Sequence, residues 1–312
     1  MGKSLKNVHC YESKRKEYFL RTPSVLLDNK KKALLLTGLA GFLWGTSFPA
    51  IKFGLRYMDA YTFAFLRFLV AALMILSILL ITKNFQFKLD KKRLTLFLGV
   101  TNGVAYLLQY VGMVFTTASK ASLFVNLSAV WVALLSPIVL KERLGGKKTV
   151  GVMVSLLGVF IVTTNLNLAS FSQGVLMGDL LVVSCGALWA VFMIYNKPIA
   201  TANKNLLQYM TWILLFTLIP LLPPAVFSGG AIFSLPLEAW LTIFYTAIFC
   251  WVLPYYLWLK GLKHISATTS AVVLLIEVIV AMIIATLALG EVLTLISGIG
   301  ALFIIIAILL VS

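Results

Sequence analysis

Ten stretches of about twenty mostly apolar residues follow one another along the chain, over 33–54, 60–82, 94–115, 117–140, 147–165, 175–196, 205–226, 237–259, 266–289 and 293–311. Charged residues or Pro and Gly separate them. A helix rising 1.5 Å per residue needs about twenty residues to cross a hydrocarbon core of roughly 30 Å, so each stretch is long enough to span a bilayer. An apolar run of this length crosses lipid as a helix, which satisfies its own backbone. Composition agrees: 61% of residues are hydrophobic and 12% charged, against roughly 45–50% and 25% in soluble domains. A soluble fold with these proportions would expose apolar patches that aggregate. The expected fold is all-α, a polytopic membrane bundle of ten transmembrane helices.

The net charge of +16 does not point to nucleic acid, because most of it flanks apolar runs, as topogenic lysines and arginines do. With the N-terminus inside, inner segments hold 22 Lys and Arg and outer ones only Lys52, Arg56 and Lys120. That split places both termini in the cytoplasm and requires an even number of spans. Residues 1–32 hold nine basic residues without the apolar core of a secretory signal, and are read as a cytoplasmic tail drawn to anionic lipid. Cys10, Cys185 and Cys250 are too scattered for a disulfide framework or a metal site, and no cofactor is expected.

An internal repeat divides the chain. Shifted by 149 residues, Tyr106 meets Tyr255, Gly112 meets Gly261, Glu142 meets Glu291 and Gly151 meets Gly300; a slightly smaller shift brings Trp44 onto Trp189. The boundaries expected are a tail over 1–32, a first repeat over 33–165 and a second over 175–312. Each repeat has five spans. Five is odd, so the second copy enters the membrane from the opposite side, and inverted repeats of this kind recur in secondary transporters with the substrate near the midplane.

The motifs carry a family resemblance. Phe42-Leu43-Trp44-Gly45-Thr46-Ser47-Phe48, Leu66-Arg67-Phe68, and Leu134-Leu135 through Lys141-Glu142-Arg143-Leu144 stand in the first repeat. Gly178-Asp179, Ala187-Leu188-Trp189-Ala190, and Glu277 through Leu289-Gly290-Glu291 stand in the second. In order and spacing the chain resembles the drug/metabolite transporter superfamily, specifically the ten-span proteins made of two EamA domains. The resemblance implies outward movement of a small metabolite across the plasma membrane. There is one departure: the family often has Pro one residue after the Glu277 position and at its counterpart in the fourth span, where this chain has Val278 and Ala129. Pro137 would shift the fourth-span kink by two turns, and no residue supplies one in the ninth.

Candidate binding residues lie within the spans. Asn102, Tyr106 and Gln109 fall at i, i+4 and i+7 of the third span and share a face; their repeat mates Trp251, Tyr255 and Trp258 do the same in the eighth. Such faces should look into the bundle, with Tyr106 and Tyr255 each turned across a central cavity and the amides bonding a substrate's polar groups; packing between helices is the alternative. Trp44 and Trp189 stand near mid-span, not at headgroup depth, and the resemblance places both beside the cavity. Glu277 lies near the midplane, where a carboxylate is costly to hold charged; it is the candidate to bind a substrate ammonium or carry a proton, or else to bond a neighbouring helix. Arg67 could meet a substrate carboxylate or, more simply, snorkel or bond backbone carbonyls.

Three function classes compete. HExxH, GxSxG, an Asp-rich diphosphate motif and a Walker loop are all missing from the sequence, which weakens a membrane-embedded enzyme acting on lipid and leaves transport to draw on a gradient. A receptor or scaffold would bind without flux. Within transport, an amino acid or similar amphipathic metabolite is the expected substrate. Phosphorylated or nucleotide-linked cargo would need several midplane cations.

Overall fold

The computed structural model describes residues 23–311 apart from 87, 88, 90, 144, 165, 167–175, 203, 204, 230–234 and 291–293. The basic tail as far as residue 22, Asn167 and Glu291 therefore lie outside the described residues. Helices occupy all ten expected positions, and no strand occurs among the described residues. The first span is α1 (Pro23–Gly45) with α2 (Ser47–Gly54), followed by α3 (Ala60–Ile81) and α4 (Lys92–Phe115). The fourth is α5 (Ala118–Asn126) with α6 (Ser128–Val139), and the fifth is α7 (Gly146–Thr164). In the second half come α8 (Leu176–Ala202) and α9 (Leu206–Phe227). The eighth span joins α10 (Leu237–Ala247), a π-helical turn (Ile248–Val252) and α11 (Leu253–Leu262). The ninth joins α12 (Ala267–Leu274) and α13 (Ile276–Leu289), and α14 (Leu295–Val311) is the tenth. Among the described residues, seven of the helical rods are long and apolar enough by themselves to cross a membrane, and Phe124–Val139 and Gly298–Val311 are shorter apolar helices.

Side-chain distribution fits lipid as the surrounding solvent. Leu35, Leu73, Leu80, Ile138, Leu287 and Leu309 are exposed, while polar Thr37, Asn102, Ser136, Asn196 and Thr217 are fully buried. The hydrophobic effect does not distinguish a neighbouring helix from a lipid tail, so close backbone approach through small residues must hold the bundle. Glycines supply it in pairs related by the repeat. A Cβ on Gly112 of α4 would stand 2.9 Å from Gly178 O of α8; one on Gly261 of α11 would stand 2.8 Å from Ala33 O of α1. Gly41 of α1 faces Leu274 O, and Gly186 of α8 faces Phe124 O and Val125 O. Polar bonds repeat too. Lys52 Nζ donates to Met113 O at 2.5 Å, and Lys197 Nζ donates to Leu262 O at 2.5 Å. Five spans separate each residue from its mate, so these two bonds cap helix ends at opposite faces of the bundle.

The kinks differ from expectation. The fourth span breaks at Leu127, not near Pro137, which sits inside α6, and the ninth breaks at Leu275 although Val278 follows Glu277. Leu127 (φ −57°, ψ −15°) and Leu275 (φ −60°, ψ −11°) share one tightened, 3₁₀-like conformation. At each break a tighter i→i−3 bond takes over, Val130 N to Leu127 O and Val278 N to Leu275 O, both 3.0 Å. A glycine of another helix packs on the turn before each break: Gly186 against Phe124 O and Val125 O of the fourth span, Gly41 against Leu274 O of the ninth. Packing, rather than proline, makes these two breaks.

That packing is testable. A methyl on Gly186 would stand 2.7 Å from Phe124 O and 3.0 Å from Val125 O, backbone atoms that cannot swing aside. Gly186→Ala should destabilise the protein by about 1–3 kcal/mol. Gly38 is the control, since a methyl added there would have nothing within 4 Å; Gly38→Ala should be neutral or gain up to about 1 kcal/mol of helix propensity. Thermal unfolding in detergent measures both, and equal stability of the two variants would refute the packing argument.

Candidate functional site

Three broken helices converge at the centre. The first span breaks at Thr46 (φ −68°, ψ −18°) because Pro49 has no N–H for Gly45 O and its ring crowds that carbonyl. Gly45 turns the weakened turn toward the ninth span, where an added Cβ would stand 2.7 Å from Glu277 O and 2.6 Å from Val280 Cβ. The fourth and ninth spans bring their breaks to the same place from opposite halves. There Asn126 Nδ2 donates to Glu277 Oε1 at 2.6 Å, and to its own-helix Ser122 O at 2.7 Å. Glu277 lies in the first turn of α13 and Ser128 begins α6, so two half-helix N-termini, with their positive dipole ends, meet at this point.

Around this junction lies a partly open cavity of about 70 Å³. Rings from both halves wall it: Trp44, Phe48 and Tyr106 from the first, Trp189, Phe192 and Trp258 from the second. Tyr106 and Trp189 meet edge to face at 4.9 Å, Trp189 and Phe192 likewise at 5.3 Å, and Trp44 approaches Trp258 at 6.0 Å. Polar groups in the lining are Ser47, Gln109, Asn126, Ser128 and Glu277. Trp258 Nε1 donates to Ser270 Oγ at 2.8 Å, whereas Trp44 Nε1 is buried with no partner among the described residues. Such a set offers stacking surface, one carboxylate and several neutral donors, which suits a small amphipathic molecule.

Six of the eight residues expected from sequence line this space: Trp44, Tyr106, Gln109, Trp189, Trp258 and Glu277. Asn102 and Tyr255 do not. Asn102 Nδ2 is spent on Thr217 Oγ1 of α9 at 2.9 Å, because α9 covers that depth of α4. Tyr255 sits behind Phe192 and Trp258, its hydroxyl donating to Asn196 Oδ1 at 2.8 Å, and that oxygen also accepts from Tyr209 at 2.9 Å. Its ring thus stays within its own half. Sequence reasoning missed Phe48, Asn126, Phe192 and Met193. Trp189, Phe192 and Met193 fall at i, i+3 and i+4, a spacing that names one helix face. Asn126, an amide inside an apolar run, carried the same kind of signal as Asn102.

Behind Tyr106 stands Arg67, with no exposed surface. Nε donates to Thr246 O at 3.1 Å, Nη2 to Cys250 O at 2.8 Å and Nη1 to Tyr110 Oη at 2.8 Å. Pro254 explains one of these acceptors: lacking an N–H, it leaves Cys250 O without its helical partner, next to the π-helical turn. Of the uses open to Arg67 in the sequence, bonding to backbone carbonyls is the one observed. At the Glu142 end of the bundle, three bonds tie the halves together: Ser136 to Thr268 hydroxyl at 2.9 Å, Lys148 Nζ to Ser266 Oγ at 3.0 Å, and Ala267 N to Glu142 Oε1 at 2.9 Å.

Comparison with known proteins places this architecture. The model of the EamA-like transporter family matches the chain twice, over residues 31–164 and 176–312. An uncharacterized transporter of Archaeoglobus fulgidus is 30% identical over 271 residues, covering 83% of this chain and 90% of that protein. The uncharacterized transporter YyaM of Bacillus subtilis is 25% identical over 285 residues, covering 89% and 92%. A solved crystal structure superposes with a TM-score of 0.74 over 90% of this chain and 96% of its own, at 14% identity, and so shares the fold. Two successive family matches over most of the chain establish it as an integral membrane protein that belongs to the EamA-like transporter family.

Proposed function

We propose that the chain is a secondary transporter of the plasma membrane that exports an amino acid, or a metabolite of similar size and amphipathic character, by alternating access between its two repeats. The observation that carries this reading is the Asn126–Glu277 bond, which joins two broken helices from opposite halves at the wall of the central cavity. A cargo ammonium would pair with Glu277, and its apolar body would lie against the rings of Trp44, Trp189 and Trp258. Asn126, Gln109 and the unpaired Trp44 indole N–H remain for its acceptors. Movement of one repeat against the other would then expose the same site to either side. Phosphorylated cargo is disfavoured, since no Lys or Arg side chain lines the cavity among the described residues.

The Lys and Arg distribution supports a topology with both termini in the cytoplasm. Single cysteines at Asn167 and Ser228 should react with an impermeant reagent added outside intact cells; reaction only after the cytoplasm is opened would reverse the topology.

Glu277→Gln conserves shape and the ability to bond Asn126, but removes the charge that attracts an ammonium. Flux in proteoliposomes should fall by about tenfold or more, as expected for losing a charge-assisted hydrogen bond of ~1.5–3 kcal/mol. Thermal stability should stay within about 1 kcal/mol of the unmutated protein. Unaltered flux from about pH 5.5 to about 8 would reduce Glu277 to a packing residue.

A further inference from the structure

Arg67 is a charge that the transport reading does not use. It is wholly buried, and all three of its acceptors, Thr246 O, Cys250 O and the Tyr110 hydroxyl, are neutral. No carboxylate bonds it among the described residues. Taking a cation out of water is costly, and neutral acceptors offset only part of that cost. A shorter neutral side chain could have bonded the carbonyls freed beside Pro254 with far less desolvation. What a guanidinium adds at this place is its field.

That field reaches the cavity. Cζ lies 5.0 Å from the centre of the Tyr106 ring, and Tyr106 lines the cavity. A cargo atom in van der Waals contact with that ring is on the order of 9 Å from the charge. At an effective dielectric constant of about 20, the attraction between unit charges at that distance amounts to about twentyfold in binding. Glu277, when ionised, supplies the opposite sign at another part of the same lining. The cavity is then polarised, positive behind Tyr106 and negative at Glu277, with the amide of Gln109 one turn beyond Tyr106 to receive an oxygen.

Resting on the transport reading, we propose that Arg67 is a positioning and specificity-determining residue: acting through Tyr106 without touching cargo, it selects molecules that carry a carboxylate beside their amine. The ammonium lies at Glu277 and the carboxylate toward Tyr106 and Gln109. A simple amine satisfies only the Glu277 end, and a simple carboxylic acid only the other.

Uptake of labelled leucine and phenylalanine into proteoliposomes, competed by unlabelled isopentylamine and phenethylamine, tests this directly. These amines are the same molecules without the carboxylate. In the unmutated protein each amine should need about tenfold or more the concentration of its amino acid for half-inhibition. Arg67→Lys, which keeps the charge, should retain that preference, and Arg67→Gln should bring the two concentrations within about threefold of each other. A purely structural arginine would change the amount of folded protein or the maximal rate and leave the ratio of the two inhibitors alone. Equal inhibition by amine and amino acid in the unmutated protein would overturn the proposal, whether or not the variants fold, and so would a folded Arg67→Gln protein with the full preference. Absence of uptake of any of the standard amino acids by intact protein is a different failure: it removes the amino-acid reading itself, and this proposal with it.

Discussion

A backbone carbonyl that loses its helical partner inside a bilayer has no water to turn to, so each break in a membrane helix must be satisfied by the protein around it. The centre of this molecule is organised by that requirement. Pro49 deprives Gly45 O, Pro254 deprives Cys250 O, and the fourth and ninth spans tighten at Leu127 and Leu275. Arg67 reaches across from α3 to Cys250 O, and Val130 N and Val278 N close i→i−3 bonds onto Leu127 O and Leu275 O where Gly186 and Gly41 let neighbouring helices approach. The side chains that could recognise a cargo stand where they do because the backbone is irregular there.

The repeat gives the bundle a two-fold logic that its sequence only partly obeys. Lys52 on Met113 O and Lys197 on Leu262 O are the same bond at opposite faces, and the glycine contacts of α4 on α8 recur as α11 on α1. The Ser136–Thr268 bond breaks the pattern. Under the same shift of 149 residues Ser136 falls on Ala285, which has no hydroxyl, so that bond has no counterpart at the other face. Equivalent scaffolds thus carry unequal closures. Two faces that close with different bonds give two states of different energy, and a cargo or an ion gradient can then bias the balance between them.

Much of the fold was legible because bilayer thickness and backbone saturation leave few options. Ten apolar runs became helical rods at the expected positions, and Tyr106, Gln109, Trp189 and Glu277 were visible as polar or aromatic groups inside those runs. What was not legible depended on contacts between halves. No local feature distinguishes Tyr106, which lines the cavity, from Tyr255, which sits one layer behind Phe192; they are repeat mates with the same spacing. Asn102 likewise shares a face with Tyr106, but α9 lies over it at that depth. The break at Leu127 was misplaced, and the one at Leu275 was not expected, for a related reason. Proline marks a kink in sequence, whereas a kink made by a glycine on another helix leaves no mark at its own position.

The Asn126–Glu277 bond has a valence consequence for the transport reading. A carboxylate has two oxygens, and Asn126 takes Oε1. An ammonium can therefore approach the second oxygen without displacing Asn126, so cargo binding adds to the link between halves and need not break it. A link that persists with cargo present can serve as a pivot, since on each side of it the helices are already broken: α5 and α6 can move independently about Leu127, and α12 and α13 about Leu275. Outer and inner helix segments can then tilt in turn while the binding groups stay at the junction. The same argument explains why the carboxylate belongs to one half and the amide to the other. Were both on one helix, their bond would stiffen that helix and leave the two repeats unconnected at the site they must share.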